Sequence, residues 1–566
     1  MTHQSNSTWI LPKQLDKDFI DYLIEERGIE NKEEFLSPNI DNIPSPNLLY
    51  NTEQATKDIL EAVEKEQKIV ICGDFDSDGI CATTILWEFL YKELASHLNK
   101  KIDVVPYIPD RIDQGYGLTD SSITDMLNLN ANLIITVDCG VRDYKLITKY
   151  QEEKGVKFII TDHHQPPTDL PEELGYSLVH QMYPSKEYPD QQICGAAVAF
   201  LFVQRIKEEA GMDYKITENT KGLDLVALAT VTDLMPLLGT NRLFVKYGLQ
   251  QIANKTRVGM EELCFVSKLN PTEVSSYQLG YVLGPRVNSA GRVGDPLDGV
   301  RLFANTNRAK CRTLAQRLDS LNSYRQRTTE TTKNIALSQI DNNNLDKAIF
   351  ILGKDWHEGI VGLVAGKLLE QYNRPIMVAT NNNGIIKGSA RSVIGFNITN
   401  TLEKFSKYLK RFGGHELAAG FTAKAETIDE FINEFIEYAN EQITDEQLVK
   451  QTKIDLLVDT DDITIDFINR LKLLEPYGYG NYKPIICLQN LVIVKKYVLG
   501  ANKNTLKLMV KGRGVELLTV MLFMCEEDIQ LLNEKDMIDI IGSPDINSWN
   551  GNQTIQFIVK EWRFSS

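Results

Sequence analysis

The sequence predicts an α/β protein: a parallel-sheet domain, a long helix leading to a smaller α/β domain, and then a β-barrel of the OB type. Three observations carry this. From Lys68 onward, apolar strand candidates alternate with helix-compatible stretches, the pattern of a parallel sheet. From about Asn307 to Ile340 there is neither Gly nor Pro, and Leu314, Leu318 and Leu321 recur at helical spacing. After Gln451 the alternation gives way to short β-type runs.

In chain order, residues 1–45 read as a polar arm punctuated by Pro12, Pro38 and Pro44, with a helix to follow near Lys57–Lys65. The first domain, 46–306, has strand candidates at Ile69–Ile71, Ile102–Tyr107, Leu133–Val137, Phe158–Ile160 and Leu178–Val179. Helices are expected at Ala196–Glu209 and Leu223–Thr230. The connecting helix takes 307–342 and the second α/β domain 343–450. In 451–566, strands are expected near Ile485–Lys496, Thr505–Val510, Leu517–Phe523, Met537–Ile541 and Thr554–Val559. A short helix (Glu526–Asn533) interrupts them, and the turn pair Asn550-Gly551 precedes the last.

At 566 residues there is material for several cores. The net charge of −16 gives no global basic field, so an argument for a nucleic-acid partner has to come from local charge. The eight scattered cysteines include no C-x-x-C, which argues against a disulfide framework or structural zinc. Without a signal pattern or an apolar run of about 18 residues, a soluble cytoplasmic protein is the expectation; a monomer is the default where the sequence leaves oligomeric state open.

The chemistry centres on Lys68–Gly79, KIVICGDFDSDG. A buried strand ends in Asp74, Asp76 and Asp78, like charges that a bound cation makes tolerable. An EF-hand is excluded, because its twelfth position is Ile85 and a strand precedes the loop. Asp138 follows the Leu133–Val137 strand, Asp162, His163 and His164 follow Phe158–Ile160, and Asp233 follows an apolar helical segment. A lone Asp after a strand is ordinarily a cap or turn former. Four clusters converging on one sheet edge instead suggest two divalent ions, Mn²⁺ or Mg²⁺ given the oxygen-rich set. Such pairs serve in-line displacement at phosphorus.

Positive charge is placed elsewhere. PDRIDQGYGL supplies Arg111, and GPRVNSAGRVGDP supplies Arg286, Asn288 and Arg292. KGSARSVIGFNI supplies Lys387, Ser389 and Arg391 in a turn between apolar runs, and RFGGHELAAGF supplies His415. Arg292 and Arg391 are phosphate candidates, since Ser, Asn and Gly accompany them. Between Ile485 and Val515 lie six basic residues, Lys495, Lys496 and Lys507 among them, with no acidic one. With Tyr497 this suggests a groove for single strands; a solvated barrel face is the alternative.

The ordered motifs GDFDSDG, PDRIDQGYGL, VDCG, DHH, ATVTDLMPL, NSAGR and GGHELAAG resemble the DHH phosphoesterase superfamily, most closely its bacterial exonucleases, from about residue 45 onward. The resemblance implies a DHH domain and a DHH-associated domain, and 5′→3′ exonuclease action on single-stranded DNA with Mn²⁺ or Mg²⁺ in repair and recombination. Asp76, Asp78, Asp138, His163 and Asp233 would be metal ligands, with Asp74 and His164 catalytic at the same site. His415 would meet the scissile phosphate, and Arg111, Ser389 and Arg391 the 5′-terminal phosphate. Cys72 departs from the pattern, because many relatives have His there. Implied partners are single-stranded DNA, a single-strand-binding protein and a RecQ-like helicase. A DHH phosphodiesterase of cyclic dinucleotides or short RNA, an inorganic pyrophosphatase and a non-catalytic nucleic-acid-binding scaffold are the rivals.

Overall fold

The computed structural model describes residues 3–13, 17–111, 113–184, 187–500, 502–514, 516–549 and 552–565. The Asn550-Gly551 turn expected from the sequence lies outside them. The chain divides into two compact units. One comprises Pro38–Gln442 with Gly478–Gly480; the other comprises Met1–Ser37, Ile443–Tyr477 and Asn481–Ser566.

The first unit is built on a five-stranded sheet. Its strands are β1 (Ile69–Gly73), β2 (Val104–Tyr107), β3 (Leu133–Val137), β4 (Lys157–Thr161) and β5 (Ser177–Val179). They run in the order β2-β1-β3-β4-β5, and every pairing is parallel. All five residues of both β1 and β3 are buried, as expected of a sheet covered on both faces. Ile69, Ile71, Ile135 and Val137 join one core; Val70, Cys72, Ile134 and Ile160 join the other. Period-two alternation thus turns Cys72 into the second core, among Ile123, Met126 and Ile147.

Helix α1 (Ser77–Glu88) starts directly after the triple-carboxylate loop, with Asp76 as its N-cap. Helices α2 (Gly195–Glu209) and α3 (Leu223–Thr232) supply the first core with most of their residues. Helix α4 (Gly284–Val293) precedes the long helix α5 (Arg308–Leu337), whose 30 residues match the Gly- and Pro-free stretch.

The same unit contains a second sheet: β6 (Ile349–Lys354), β7 (Ile376–Asn382), β8 (Ile385–Arg391), β9 (Leu409–His415) and β10 (Ala418–Ala423), in the order β9-β10-β8-β7-β6. Helix α6 (Glu358–Tyr372) packs on β7 and β8. Ser389 and Arg391 therefore stand on a strand and not in a turn. The apparent break in KGSARS is a central strand that β7 and β10 pair from either side.

In the second unit, β11 (Ile486–Leu499), β12 (Thr505–Lys511), β13 (Leu518–Phe523), β14 (Met537–Trp549) and β15 (Asn552–Phe564) pair in the order β11-β12-β13-β15-β14. β14 pairs back onto the first part of β11, from Ile486 to Val492, which closes the barrel. The polar arm is not free. Thr8–Ile10 pairs in parallel with Gln451–Lys453, Trp9 is buried with Ile454, Cys487 and Ile541, and Ser5 and Ser7 donate to Glu561. Among the described residues no helix is long and apolar enough to cross a membrane, and all eight cysteines are buried and unpaired.

Candidate metal and phosphate site

The carboxylates collect at the carboxyl ends of β1, β3 and β4, and the local backbone explains how. Gly79 lets the loop fold tightly, since a Cβ there would stand 2.4 Å from the Asp74 carbonyl oxygen. Asp76 caps α1, accepting from the Asp78 and Gly79 amides at 2.9 and 3.2 Å. Asp78 accepts from the Gly195 and Ala196 amides at the start of α2, both at 2.7 Å, which draws a buried charge toward a helix N-terminus. Asp138 sits in the left-handed region (φ 63°), where Asp is tolerated, and turns its side chain under α2. A Cβ on Gly195 would lie 2.6 Å from the Asp138 Cβ.

His163 Nε2 stands at the centre, 3.1 Å from Asp138 Oδ1, 3.6 Å from Asp233 Oδ2 and 3.7 Å from Asp78 Oδ2. Three overlapping groups have ligand atoms within 4.8 Å of one another: Asp74–Asp76–Asp138, Asp78–His163–Asp233 and Asp138–His163–His164. Burial, and then the neighbouring carboxylates, push Asp74, Asp138 and Asp233 well above the usual carboxylate range. Burial lowers His163, which favours the neutral imidazole a metal needs. Asp138 Oδ1, His163 Nε2 and Asp233 Oδ2 are buried with no hydrogen-bond partner. Orphaned acceptors of this kind are costly unless a cation satisfies them, so the donor set fits divalent ions of the Mn²⁺ or Mg²⁺ type.

Burial alone would lower His164, but the Asp162 carboxylate, 2.8 Å from its Nδ1, raises it instead. Asp162 also accepts from the His163, His164 and Val141 amides, so it organises the loop. The Tyr116 hydroxyl lies 3.0 Å from His164 Nδ1. No sequence motif marks Tyr116 as a site residue, although it sits between Gly115 and Gly117, both with positive φ.

A cationic wall adjoins the carboxylates. Arg111 lies over the Phe75 ring at 4.6 Å; burial depresses it, while Asp74 and Asp76 pull it back up. Arg391 is held at Nη1 by Ser389 Oγ (2.9 Å), and burial, then Arg111, lowers it. Burial and the like charges of Arg111, Arg325 and Arg391 push Arg292 down to about 9. Guanidinium groups crowded out of water call for an anion. Arg325, on α5, is the member no motif announced.

Other expected contacts fall differently. Asn288 Oδ1 accepts from the Ser77 amide at 2.6 Å, which holds the carboxylate loop. Arg286 is tied to Asp319 and the Val282 carbonyl, and Lys387 to Glu358. His415 ends β9 with its side chain exposed; its carbonyl accepts from Thr399. On the barrel, Lys495 and Tyr497 alternate onto one face, and Lys507 pairs opposite Tyr497. Lys496 takes the other face and donates to the Ile529 and Leu532 carbonyls, so it caps a helix end and is not presented with the other two.

A parallel sheet that carries an oxygen-rich cation site at its strand ends, beside a wall of arginines, defines a metal-dependent phosphoesterase of the DHH class. Family profiles agree: the DHH family N-terminal domain matches residues 68–230, the DHHA1 domain 342–441 and the RecJ OB domain 454–561. The single-stranded-DNA-specific exonuclease RecJ of Haemophilus influenzae is 31% identical over 558 residues, covering 95% of each chain. That of Bacillus subtilis is 31% identical over 545 residues, 95% of this chain and 67% of the relative. The crystal structure of Thermus thermophilus RecJ in complex with Mn²⁺ superposes with a TM-score of 0.81 at 27% identity, over 97% of this chain and 76% of that one. The chain belongs to the RecJ family.

Proposed function

We propose that the protein is a single-strand-specific 5′→3′ DNA exonuclease acting in repair and recombination. The observation that carries this reading is the set of orphaned acceptors, Asp138 Oδ1, His163 Nε2 and Asp233 Oδ2, buried beside the arginine wall. The relatives' names, single-stranded-DNA-specific exonuclease, agree with it.

Asp76, Asp78, Asp138, His163 and Asp233 would hold two divalent ions, with Asp74 at the same edge. When bound, such ions activate water and neutralise the leaving oxygen of an in-line displacement. The rest falls to this chain's own groups. Arg111, Ser389 and Arg391 take the 5′-terminal phosphate, and Arg292 the next one along. Asp162 and Tyr116 orient His164, whose raised proton affinity suits holding a proton beside the reacting phosphate. Asn288 keeps the carboxylate loop in register. Lys495, Tyr497 and Lys507 form the strand-guiding face of the barrel. A cytoplasmic monomer working with a single-strand-binding protein and a RecQ-like helicase completes the reading.

Protein stripped with EDTA should release no nucleotides from 5′-labelled single strands and should recover with Mn²⁺. Full release in chelator would refute the metal-dependent reading.

A further inference from the structure

The helix that brings Asn288 and Arg292 to the site begins with two exposed tyrosines. Ser276–Gln278, a π-type turn at Leu279–Leu283 and α4 form one run. Within it, Tyr277 and Tyr281 are 62% and 72% exposed, and their rings stack with centroids 4.8 Å apart at 29°. Residues 276, 279, 283, 284, 287, 289, 290 and 291 are buried, Tyr277 and Tyr281 are exposed, and Asn288 and Arg292 are half-buried. One face of the run therefore carries the tyrosine stack at one end and the site's polar groups at the other. Gly280 and Gly284 flank Tyr281 and pack closely on Val231 and Thr232, the last turn before Asp233. The run that carries the rings is thus anchored on the helix that ends just before Asp233. π-Type turns inside helices recur at functional sites.

We propose that Tyr277 and Tyr281 are a stacking platform for bases of single-stranded DNA on the 3′ side of the bond being cleaved. The proposal rests on the exonuclease reading above, in which the 5′ end occupies the Arg111–Arg391 pocket and the strand trails away toward its 3′ end. Eleven helical residues separate Tyr281 from Arg292, about 16 Å at about 1.5 Å per residue. That distance matches roughly four to five stacked nucleotides at about 3.4 Å each. Aromatic rings bind bases without regard to sequence, as an exonuclease that must accept every base requires.

The test compares a 5′-phosphorylated dinucleotide with a dodecanucleotide as substrates. Replacing both residues (Tyr277→Ala with Tyr281→Ala) should raise KM for the dodecanucleotide about 5- to 100-fold, from the loss of one or two stacked bases. Hydrolysis of the dinucleotide, too short to reach the rings, should not change. Tyr277→Phe with Tyr281→Phe should restore the long-strand KM, and the Leu pair should not. With abasic residues at the fourth to sixth positions, wild type and the Ala pair should converge. Unchanged KM for the dodecanucleotide in the Ala pair, or equal losses on both substrates, would overturn the platform. Failure of wild type to cleave either substrate would overturn the exonuclease reading instead.

Discussion

Asp138→Asn should make the metal-free protein more stable while removing its activity. Asp138 is 2% exposed, and its Oδ1 has no hydrogen-bond partner. With Asp74 and Asp76 it forms a group whose ligand atoms lie within 4.8 Å of one another. At an effective dielectric of about 20, each like-charge pair at that distance costs about 3.5 kcal/mol or more when both are ionised. Protonation relieves part of this, and the sign follows. Burial and neighbouring carboxylates raise Asp74, Asp138 and Asp233 above the range they have in the unfolded chain. The folded state therefore binds more protons, and stability falls as pH climbs from about 4 through the raised values. Asn suits the left-handed backbone at φ 63° and carries no charge. At pH 8 in EDTA the variant should gain about 2–4 kcal/mol over wild type and show a shallower decline with pH. In Mn²⁺ the order should reverse, since a ligand at 100 times its Kd adds about 2.7 kcal/mol per site to the protein that binds it fully. Turnover should fall by several powers of ten once the two-metal arrangement is lost. Thermal unfolding from pH 5 to 8, with and without Mn²⁺, together with nucleotide release, reads all three. A variant less stable than wild type in chelator at pH 8 would show Asp138 to be a satisfied structural carboxylate and refute the reasoning.

Three further outcomes follow from the cationic groups. Arg391→Ala should slow cleavage of 5′-phosphorylated strands about ten- to a hundred-fold more than 5′-hydroxyl strands, the weight of one charge-assisted contact; equal losses in a kinetic comparison would make Arg391 structural. Lys495→Glu with Lys507→Glu should weaken binding to long strands and flatten its salt dependence by about 0.7 per lost phosphate contact, as read by anisotropy against salt, without affecting dinucleotide hydrolysis. Lys496→Glu should instead lower barrel stability, because its ammonium caps the Ile529 and Leu532 carbonyls.

The sequence by itself determined the elements and the carboxylate half of the site. Strand alternation, a Gly- and Pro-free helix and acidic residues just past apolar runs are local signals. A parallel sheet converts sequential strand ends into one edge, so Asp74, Asp76, Asp78, Asp138 and His163 are legible together in the sequence. Single contacts were less legible, because they depend on which way one side chain turns. Lys496 differs from Lys495 only by the parity of its strand position, yet it serves a helix end. Asn288 looked like a phosphate contact and holds the carboxylate loop. Ser389 and Arg391 read as a turn because Gly and Ser are poor strand formers, and pairing on both sides overrides that preference. Of the cationic half, Arg111, Arg292 and Arg391 stood out one by one in the sequence, but their meeting, with Arg325 added, was decided by tertiary structure. Arg111, Arg292, Arg325 and Arg391 come from a loop, two helices and a strand spread over 281 residues of sequence, and no local pattern records that they face one another. What gathers them is long-range packing: a Cβ on Gly359 would stand 2.5 Å from the Arg292 carbonyl oxygen, and a Cβ on Gly362 3.1 Å from Ser389 Oγ. Such close approach is a property of surfaces that meet only after the chain has folded.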